Sequence, residues 1–169
     1  MRGVFAMVTA FGAMALLSGC GKSEAPVMPS TAPATEATAA ALPASAAPPS
    51  ADQLKMLAAL PAPYNTADPV NGEAQFAQCR SCHTIVKGGP NLTGPNLYGV
   101  YGSKSAAVPG FEFSDAMKAA NKTWDAPTID KWIENPRAVL PETKMTFAGV
   151  TDAKNRADII AYVALQRDK

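Results

Sequence analysis

The pattern of hydrophobic and polar positions divides this 169-residue chain into three stretches. Residues 4–17 form one short apolar run, and residues 21–63 consist almost entirely of Ala, Pro, Ser and Thr. From residue 64 onward, apolar residues recur at intervals of three and four, which is the spacing of helices with one buried face. This last stretch is long enough for one small domain with one core. The pattern therefore predicts an all-α domain over residues 64–169.

Capping residues and apolar spacing predict helices joined by long loops. The first helix is capped by Asn71 and runs through Gln78, and Ser114 caps a second helix over residues 115–120. Residues 52–60, ahead of the domain, also fit one short helix. With the two C-terminal helices, about four to five helices are expected in all.

The two C-terminal helices have the clearest apolar faces. Asp125 caps the third helix of the domain, which ends before Pro136. Thr151 caps the last helix, with Asp152 in its first turn. The expected buried positions are Ile129, Trp132 and Ile133 in the third helix, and Ile159, Ile160, Val163 and Ala164 in the last.

The N-terminal apolar run has the features of an export signal. Arg2 precedes it, and it is shorter than the ~20 residues that a membrane-spanning helix needs. It ends in Leu17-Ser18-Gly19-Cys20, which resembles the bacterial lipobox; this resemblance implies cleavage before Cys20 and a lipid on Cys20. We therefore expect a lipoprotein signal peptide over residues 1–19. The alternatives are an uncleaved anchor or an ordinary signal peptide that happens to end at a cysteine.

Residues 20–63 are expected to be a disordered Ala- and Pro-rich tether. Such a composition lacks the large apolar side chains that offset chain entropy. Proline-rich segments are semi-extended, at about 3.1 Å per residue, so the stretch can serve as a long leash. A passive spacer is the alternative, and the composition does not separate the two.

One five-residue motif carries most of the chemistry of this chain. Cys79-Arg80-Ser81-Cys82-His83 has the C-x-x-C-H spacing of a c-type haem attachment site. Each thiol can add to one vinyl group of the same haem, and the imidazole that follows can bind the iron. The Gly- and Pro-rich loop between this motif and Ser114 is unusually long for a compact domain. A ligand as large as a haem explains such a loop, so we expect one covalent haem c.

Other interpretations of the motif need features that this chain lacks. A zinc half-site needs further Cys or His ligands, but His83 is the only histidine and the third cysteine is Cys20. A thioredoxin-like pair would lie near a βαβ pattern, and the sequence has no strand-rich stretches. A disulfide between Cys79 and Cys82 would leave His83 without a role.

The second axial ligand is sought among the methionines, because the chain has no second histidine. Only Met117 and Met145 lie in the domain. Met117 falls inside a short helix, where methionine usually fills a core. Met145 falls in the loop 141–147, and binding residues concentrate on loops, so Met145 is favoured. His/Met ligation raises the reduction potential and leaves no site on the iron for a substrate, which argues against an enzyme.

From about Asn71 to the C-terminus, the chain resembles the class I c-type cytochromes, and most of all the tethered bacterial relatives of mitochondrial cytochrome c. The resemblance implies the cytochrome c fold around one haem, with His83 and Met145 as axial ligands. Besides the C-x-x-C-H motif, it is carried by Gly94-Pro95-Asn96-Leu97, Pro109-Gly110-Phe111, Trp124, Asn135-Pro136, Thr143-Lys144-Met145 and the helix around Tyr162.

Further residue roles follow from this resemblance. The carbonyl of Pro95 accepts a hydrogen bond from the ring N–H of His83, which fixes the tautomer. Trp124 donates its indole N–H to a haem propionate, and Thr143 makes a similar polar contact. From the residues alone, Trp124 as a plain core residue and Pro95 as an ordinary turn residue stay open.

Four positions around the expected haem depart from the family pattern, and Glu142 replaces a glycine that is common before Thr-Lys-Met. Ser103 stands where arginine is common, Phe113 and Trp132 where tyrosines are common, and Met117 where asparagine is common. Loss of a positive charge near the propionates lowers the reduction potential, whereas a drier pocket raises it. The net direction therefore stays open.

The resemblance implies a one-electron carrier, not an enzyme, that runs from a quinol–cytochrome c reductase to a terminal oxidase. The alternative is a peroxidase-like haem enzyme or ligand-binding module in which the Met145–iron bond opens. We expect a monomer on the periplasmic side of a bacterial membrane, lipid-anchored at Cys20, with transient redox partners and no nucleic acid.

The charge balance bears on how such a domain meets its partners. Residues 64–169 carry 12 Lys plus Arg against 11 Asp plus Glu, so strong long-range steering is not expected. A local patch of Lys87, Lys104 and Lys144 at the haem edge is one interpretation, and scattered surface lysines are the other.

Overall fold

The computed structural model describes residues 48–168 and shows six α-helices joined by loops. The predicted signal peptide at 1–19, Cys20 and the tether as far as residue 47 lie outside the described residues. The helices are α1 (Ala51–Ala58), α2 (Pro69–Gln75), α3 (Asp115–Ala119), α4 (Ala126–Glu134), α5 (Pro136–Val139) and α6 (Ala153–Leu165).

Two short 3₁₀ turns, Tyr64–Thr66 and Phe76–Gln78, flank α2. Within residues 48–168 no strand forms, and one isolated antiparallel bridge joins Lys104 to Thr123. The all-α class predicted from the apolar spacing is therefore confirmed. None of the helices in this range combines the length and the apolar character needed to cross a bilayer.

The core is built around α6, which packs against α1, α2 and α4. The contact with α2 is very close, because an added Cβ on Gly72 would overlap the carbonyl group of Asp158. The ring of Phe76, which is 1% exposed, lies 5.4 Å from that of Tyr162 between their centroids. This packing fixes the direction in which the chain leaves α2 toward the C-x-x-C-H motif.

The short helix expected ahead of the domain forms as α1 and belongs to the packed core. It begins at a capping box, in which the Ser50 hydroxyl accepts from the N–H of Gln53 and the Gln53 side chain accepts from the N–H of Ser50. Leu57 and Leu60 are buried against the core. The folded part of the chain therefore begins by residue 51, ahead of the boundary at 63/64 that the sequence predicts.

Two predicted capping residues are wrong. Asp68, not Asn71, caps α2, because its carboxylate accepts hydrogen bonds from two backbone N–H groups of the first turn at 2.9 and 3.2 Å. Asp152, not Thr151, caps α6, where it accepts from the N–H three residues further on at 2.7 Å. Asp152 is a stronger cap than the threonine beside it, whereas α2 is capped three residues before the predicted cap, so that Asn71 lies inside its first turn.

The predicted caps Ser114 and Asp125 are confirmed for α3 and α4. The third predicted helix ends before Pro136, as expected, but the chain does not leave the helical conformation for long. The side chain of Asn135 caps a new helix, α5, by accepting from the N–H of Ala138 at 3.0 Å. Pro136 occupies the first helical position, where its missing N–H costs nothing.

Residues 79–114 contain no helix, in agreement with the long loop that the sequence predicts. Backbone hydrogen bonds attach this loop to the helical core. The N–H of Gly99 donates to the carbonyl of Gln166 at 2.8 Å, and the N–H of Gly102 donates to the carbonyl of Trp124 at 2.9 Å. The loop is therefore held at its middle as well as at its ends.

Candidate functional site

Cys79, Cys82 and His83 lie on one tight turn directly after the 3₁₀ turn Phe76–Gln78. The backbone N–H groups of Cys82 and His83 both donate to the carbonyl of Cys79, at 3.1 and 2.9 Å. Neither thiol is in a disulfide; Cys79 is half-buried and Cys82 is exposed. The turn thus presents two free sulfur atoms and one imidazole on the same short stretch of chain.

The imidazole of His83 is held in one orientation. Its Nδ1 lies 2.8 Å from the carbonyl oxygen of Pro95, which can only accept, so Nδ1 carries the proton and Nε2 keeps its lone pair. Gly94 lies against the ring, and an added Cβ there would overlap it. Burial lowers the pKa of His83, and the bond to Pro95 opposes that shift. The ring is therefore neutral at pH 7, with one nitrogen available as a ligand.

The thiols also fit the predicted cofactor. Burial, and secondarily the nearby Cys82, raise the pKa of the Cys79 thiol to about 11, so it is protonated at neutral pH. Two unbridged thiols beside a neutral, oriented imidazole form the donor set that haem c attachment requires. In the part of the chain that the structure describes, no group of three or more His, Cys, Asp or Glu side chains is arranged to hold a metal ion.

Asn96 organises the loop around His83, a role that the sequence does not reveal. Its side-chain amide donates to the hydroxyl of Thr84 at 2.6 Å and to the carbonyl of Val86 at 3.0 Å. Its Oδ1 accepts from the N–H of Tyr98 at 2.8 Å, and its own N–H donates to the side chain of Asn91 at 2.9 Å. This network keeps the two sides of the loop together, and with them the Gly94-Pro95 segment against the imidazole.

The loop that carries Met145 is ordered by local hydrogen bonds. The N–H of Met145 donates to the hydroxyl of Thr143 at 3.1 Å, and the ammonium of Lys144 donates to the carbonyl of Glu112 at 3.0 Å. Met145 is half-buried, whereas Met117 is 7% exposed within α3. Met117 thus has the surroundings of a core residue, and Met145 has those of a side chain on an anchored loop.

Trp124 is 8% exposed and packs edge-on against Trp132, with 5.4 Å between ring centroids. Its backbone N–H donates to the carbonyl of Ser103 at 2.9 Å. Its indole N–H makes no hydrogen bond among residues 48–168, and it is accessible, because no fully buried side-chain nitrogen or oxygen in this range lacks a partner. The hydroxyl of Ser103 is already used, since it donates to the carbonyl of Val100 at 2.7 Å.

The three lysines considered as a patch have different surroundings. The ammonium of Lys87 donates to Asp168 at 2.8 Å, and that carboxylate raises the pKa of Lys87. Lys104 is exposed in the isolated bridge, and Lys144 is bound to a backbone carbonyl. One of the three positive charges is therefore offset by a carboxylate, which weakens the interpretation as a patch.

Two buried charged residues of α6 are also missing from the sequence-based prediction. Arg156 is 7% exposed and Asp158 is 1% exposed, and both are fully hydrogen-bonded. The signal that could have found them is the run of apolar residues from Ile159 to Leu165, which fills more than one face of the helix. A helix that is apolar nearly all round is buried, so charged residues at its start are buried as well.

Comparison with known proteins yields relatives that share this architecture, although no protein-family model matches the chain. Cytochrome c2 of Rhodomicrobium vannielii is 48% identical over 103 residues, which are 61% of this chain and 82% of that protein. Cytochrome c of Kluyveromyces lactis is 40% identical over 105 residues, which are 62% of this chain and 96% of that protein.

Among solved structures, cytochrome cH from Methylobacterium extorquens has a TM-score of 0.55 and 41% sequence identity. The match covers 57% of this chain and 97% of that one. These relatives carry a covalently bound c-type haem, and the free thiols and oriented imidazole of this chain fit that cofactor. The chain binds haem c and belongs to the class I c-type cytochromes.

Proposed function

We propose that this protein is a one-electron carrier whose haem is attached through Cys79 and Cys82 and ligated by His83 and Met145. When bound, the haem supplies a ferric/ferrous couple, and His/Met ligation places its reduction potential high. With both axial positions filled by the chain, no position remains for a substrate. Electron transfer, rather than haem catalysis, is the activity that this ligand set supports.

The observation that carries the proposal is the state of His83. Its Nδ1 is committed to Pro95, its ring is covered by Gly94, and burial keeps it neutral. An imidazole bound in this way loses little freedom when it binds iron through Nε2, which stabilises the ligated state. The second ligand is inferred from the contrast between Met145 on its anchored loop and Met117 in the core.

Trp124 and Thr143 are proposed to bind the haem propionates. The indole N–H of Trp124 makes no hydrogen bond among residues 48–168 and is not enclosed by them, although the residue as a whole is only 8% exposed. An indole whose ring packs in a core normally finds a partner for its N–H. The Thr143 hydroxyl accepts from the N–H of Met145 and still has a proton to donate. Both donors are therefore available to a carboxylate of the cofactor.

The cellular role is proposed from the N-terminal sequence together with the family. A lipid on Cys20 would hold the domain at the periplasmic side of a bacterial membrane, on the leash formed by the residues that follow. From there it would carry electrons from a quinol–cytochrome c reductase to a terminal oxidase as a monomer. The near-neutral charge of residues 64–169 is compatible with transient docking that relies on the tether for encounter.

Replacement of each candidate methionine tests the ligand assignment. We expect oxidised wild-type protein to show the weak long-wavelength absorption band of a sulfur–ferric-iron bond. Met145→Leu should abolish this band, whereas Met117→Leu, which removes an equal thioether from the core, should keep it. A band that survives Met145→Leu, or its absence from the wild type together with rapid binding of carbon monoxide or peroxide, would favour the haem enzyme instead.

A further inference from the structure

Arg156 is a buried cation that joins three parts of the fold. Its Nε donates to Asp130 on α4 at 2.7 Å, and Glu134 on the same helix lies 3.5 Å from its Nη2. Its Nη1 donates to the carbonyl oxygens of Val150 and Thr151, at 3.0 and 2.9 Å. The guanidinium thus connects α6, which carries it, to α4 and to the end of the loop that precedes α6.

That loop is the one that carries Met145. On the side away from Arg156, the N–H of Val150 donates to the carbonyl of Ile133 at 2.9 Å. Gly149 has φ +98°, and an added Cβ would overlap the carbonyl oxygen of Glu134. The end of the loop is therefore pressed onto the last turn of α4 and held there by the guanidinium.

Met145 lies between this anchor and a second one. At the start of the loop, the N–H of Thr143 donates to the carbonyl of Leu140 at 3.0 Å, and the Thr143 hydroxyl accepts from the N–H of Met145 at 3.1 Å. Four residues separate Met145 from Val150. A residue spans at most ~3.6 Å, so the position of the thioether depends on both ends of the loop staying in place.

The anchor at Val150 depends on the shape of an arginine. One planar group reaches a carboxylate on α4 and two backbone carbonyls at the same time, because its N–H donors point in fixed and different directions. A lysine ammonium is a single point charge and cannot reproduce this set of contacts. Without the guanidinium, Asp130 loses its buried partner and the two carbonyls lose their donor.

We propose that Arg156 is a positioning residue for Met145: it fixes the end of the loop so that the thioether stays on the haem iron. The inference rests on the proposed ligation by Met145. Under this inference, Arg156 determines how often the loop opens. Its side chain binds the end of the loop at Val150, not the part that carries Met145.

The test compares oxidised holoprotein of the wild type with Arg156→Lys and Arg156→Met. Lys131→Met is the matched control, because it removes an exposed positive charge from α4, next to Asp130, at a residue with no ion pair among residues 48–168. The readouts are the sulfur–iron absorption band and the rate at which added imidazole binds the iron, which requires the thioether to leave. Thermal unfolding of each variant shows that it is folded at the assay temperature.

We expect Arg156→Lys to bind imidazole about tenfold faster than the wild type, since a charge-assisted hydrogen bond contributes enough to change an equilibrium about tenfold or more. Arg156→Met should be faster still, with a weaker band, and Lys131→Met should match the wild type. If Arg156→Met does not fold, Arg156→Lys decides the question.

Failure of this inference and failure of the proposed ligation by Met145 give different results. If Arg156→Lys melts at a lower temperature but binds imidazole at the wild-type rate while folded, Arg156 is only structural and the inference is overturned. If instead the wild type binds imidazole as fast as Met145→Leu does, the proposed ligation itself is wrong. Faster binding in the Arg156 variants alone, with the wild-type band present, supports both.

Discussion

The carboxylate of Asp158 accepts a hydrogen bond from the backbone N–H of Asp68 at 2.8 Å and so ties the start of α2 to α6. The same carboxylate accepts from the side chain of Asn71 at 2.6 Å and from Lys154 at 2.7 Å. Because α2 and the 3₁₀ turn Phe76–Gln78 lead into the C-x-x-C-H motif, this buried contact sets the position from which the motif starts.

Asp158→Asn tests how much this contact contributes to the free energy of unfolding. Burial raises the pKa of Asp158, but the hydrogen bonds from Lys154, Asn71 and Asp68 outweigh it and lower the pKa below its usual value. The stabilisation is therefore present above the unfolded-state pKa of about 4 and is lost as pH falls through the folded-state pKa. We expect the variant to lose about 2 kcal/mol at pH 7 in urea unfolding, and to lose less stability than the wild type on acidification.

Asp115→Asn is the control for that measurement, because Asp115 is exposed on α3 and its only ion pair among the described residues is with Lys118. It should unfold within about 0.5 kcal/mol of the wild type at either pH. A wild-type pH dependence that persists unchanged in Asp158→Asn would contradict the role assigned to this carboxylate.

Gly72→Ala is expected to destabilise the fold far more than the addition of one methyl group usually does. The added methyl group would overlap the backbone carbonyl of Asp158, which cannot move without separating α2 from α6. We expect a loss of about 3 kcal/mol in the free energy of unfolding. Gly88→Ala is the comparison: it has open space but φ +71°, so its cost should be about 1 kcal/mol. Equal losses in the two variants would argue against the close helix contact.

Leu57→Ala tests whether α1 belongs to the domain. Leu57 is 9% exposed, whereas Leu54 on the same helix is 52% exposed, so the two leucines form a matched pair. Truncation of Leu57 should cost about 2–3 kcal/mol through lost burial and the cavity left behind. Leu54→Ala should cost less than about 0.5 kcal/mol. Two equally small effects in thermal unfolding would place the start of the stable domain nearer to residue 64.

The helices that the sequence predicts best are those whose caps and apolar faces agree. Ser114 and Asp125 each accept from the backbone N–H three residues further on, at the start of α3 and α4, although Asp115 directly follows Ser114. The two wrong caps also have competing acceptors nearby. Asp68 precedes a proline, and its carboxylate prevails over Asn71, whose side chain is used instead by Asp158. The hydrogen bond between Asn71 and Asp158 is a tertiary contact, so it cannot be predicted from the local sequence.

Only part of the candidate site can be predicted from the sequence. The C-x-x-C-H motif can be found because its residues are contiguous, and the candidate second ligand can be found because the domain has only two methionines. The network around Asn96 and the anchor made by Arg156 are not, because they join residues whose separation along the chain carries no periodic signal. Buried polar groups of this kind depend on the finished fold for every partner.

The proposed lipid anchor on Cys20 can be tested against attraction by charge as the means by which the domain reaches its partners. Residues 64–169 are nearly neutral, so long-range attraction to a partner is weak, and Lys144 is an exposed side chain bound to the carbonyl of Glu112. A lipid on Cys20 would instead raise the local concentration of the domain near membrane partners. We therefore expect Cys20→Ser to slow oxygen consumption by the membrane oxidase by about tenfold or more, and Lys144→Glu to slow it much less.

The measurement compares membranes that carry anchored wild type or Lys144→Glu with membranes to which the released Cys20→Ser protein is added at the same haem c content. Reduction of the purified full-length protein by an artificial electron donor, and its oxidation by an artificial acceptor, should be the same for both variants, because neither residue is proposed to hold the haem. Cys20→Ser should also move the protein from the membrane fraction to the soluble fraction. Equal oxidase rates for anchored and released protein would mean that encounter is not limited by distance, and the tether would then be a passive spacer.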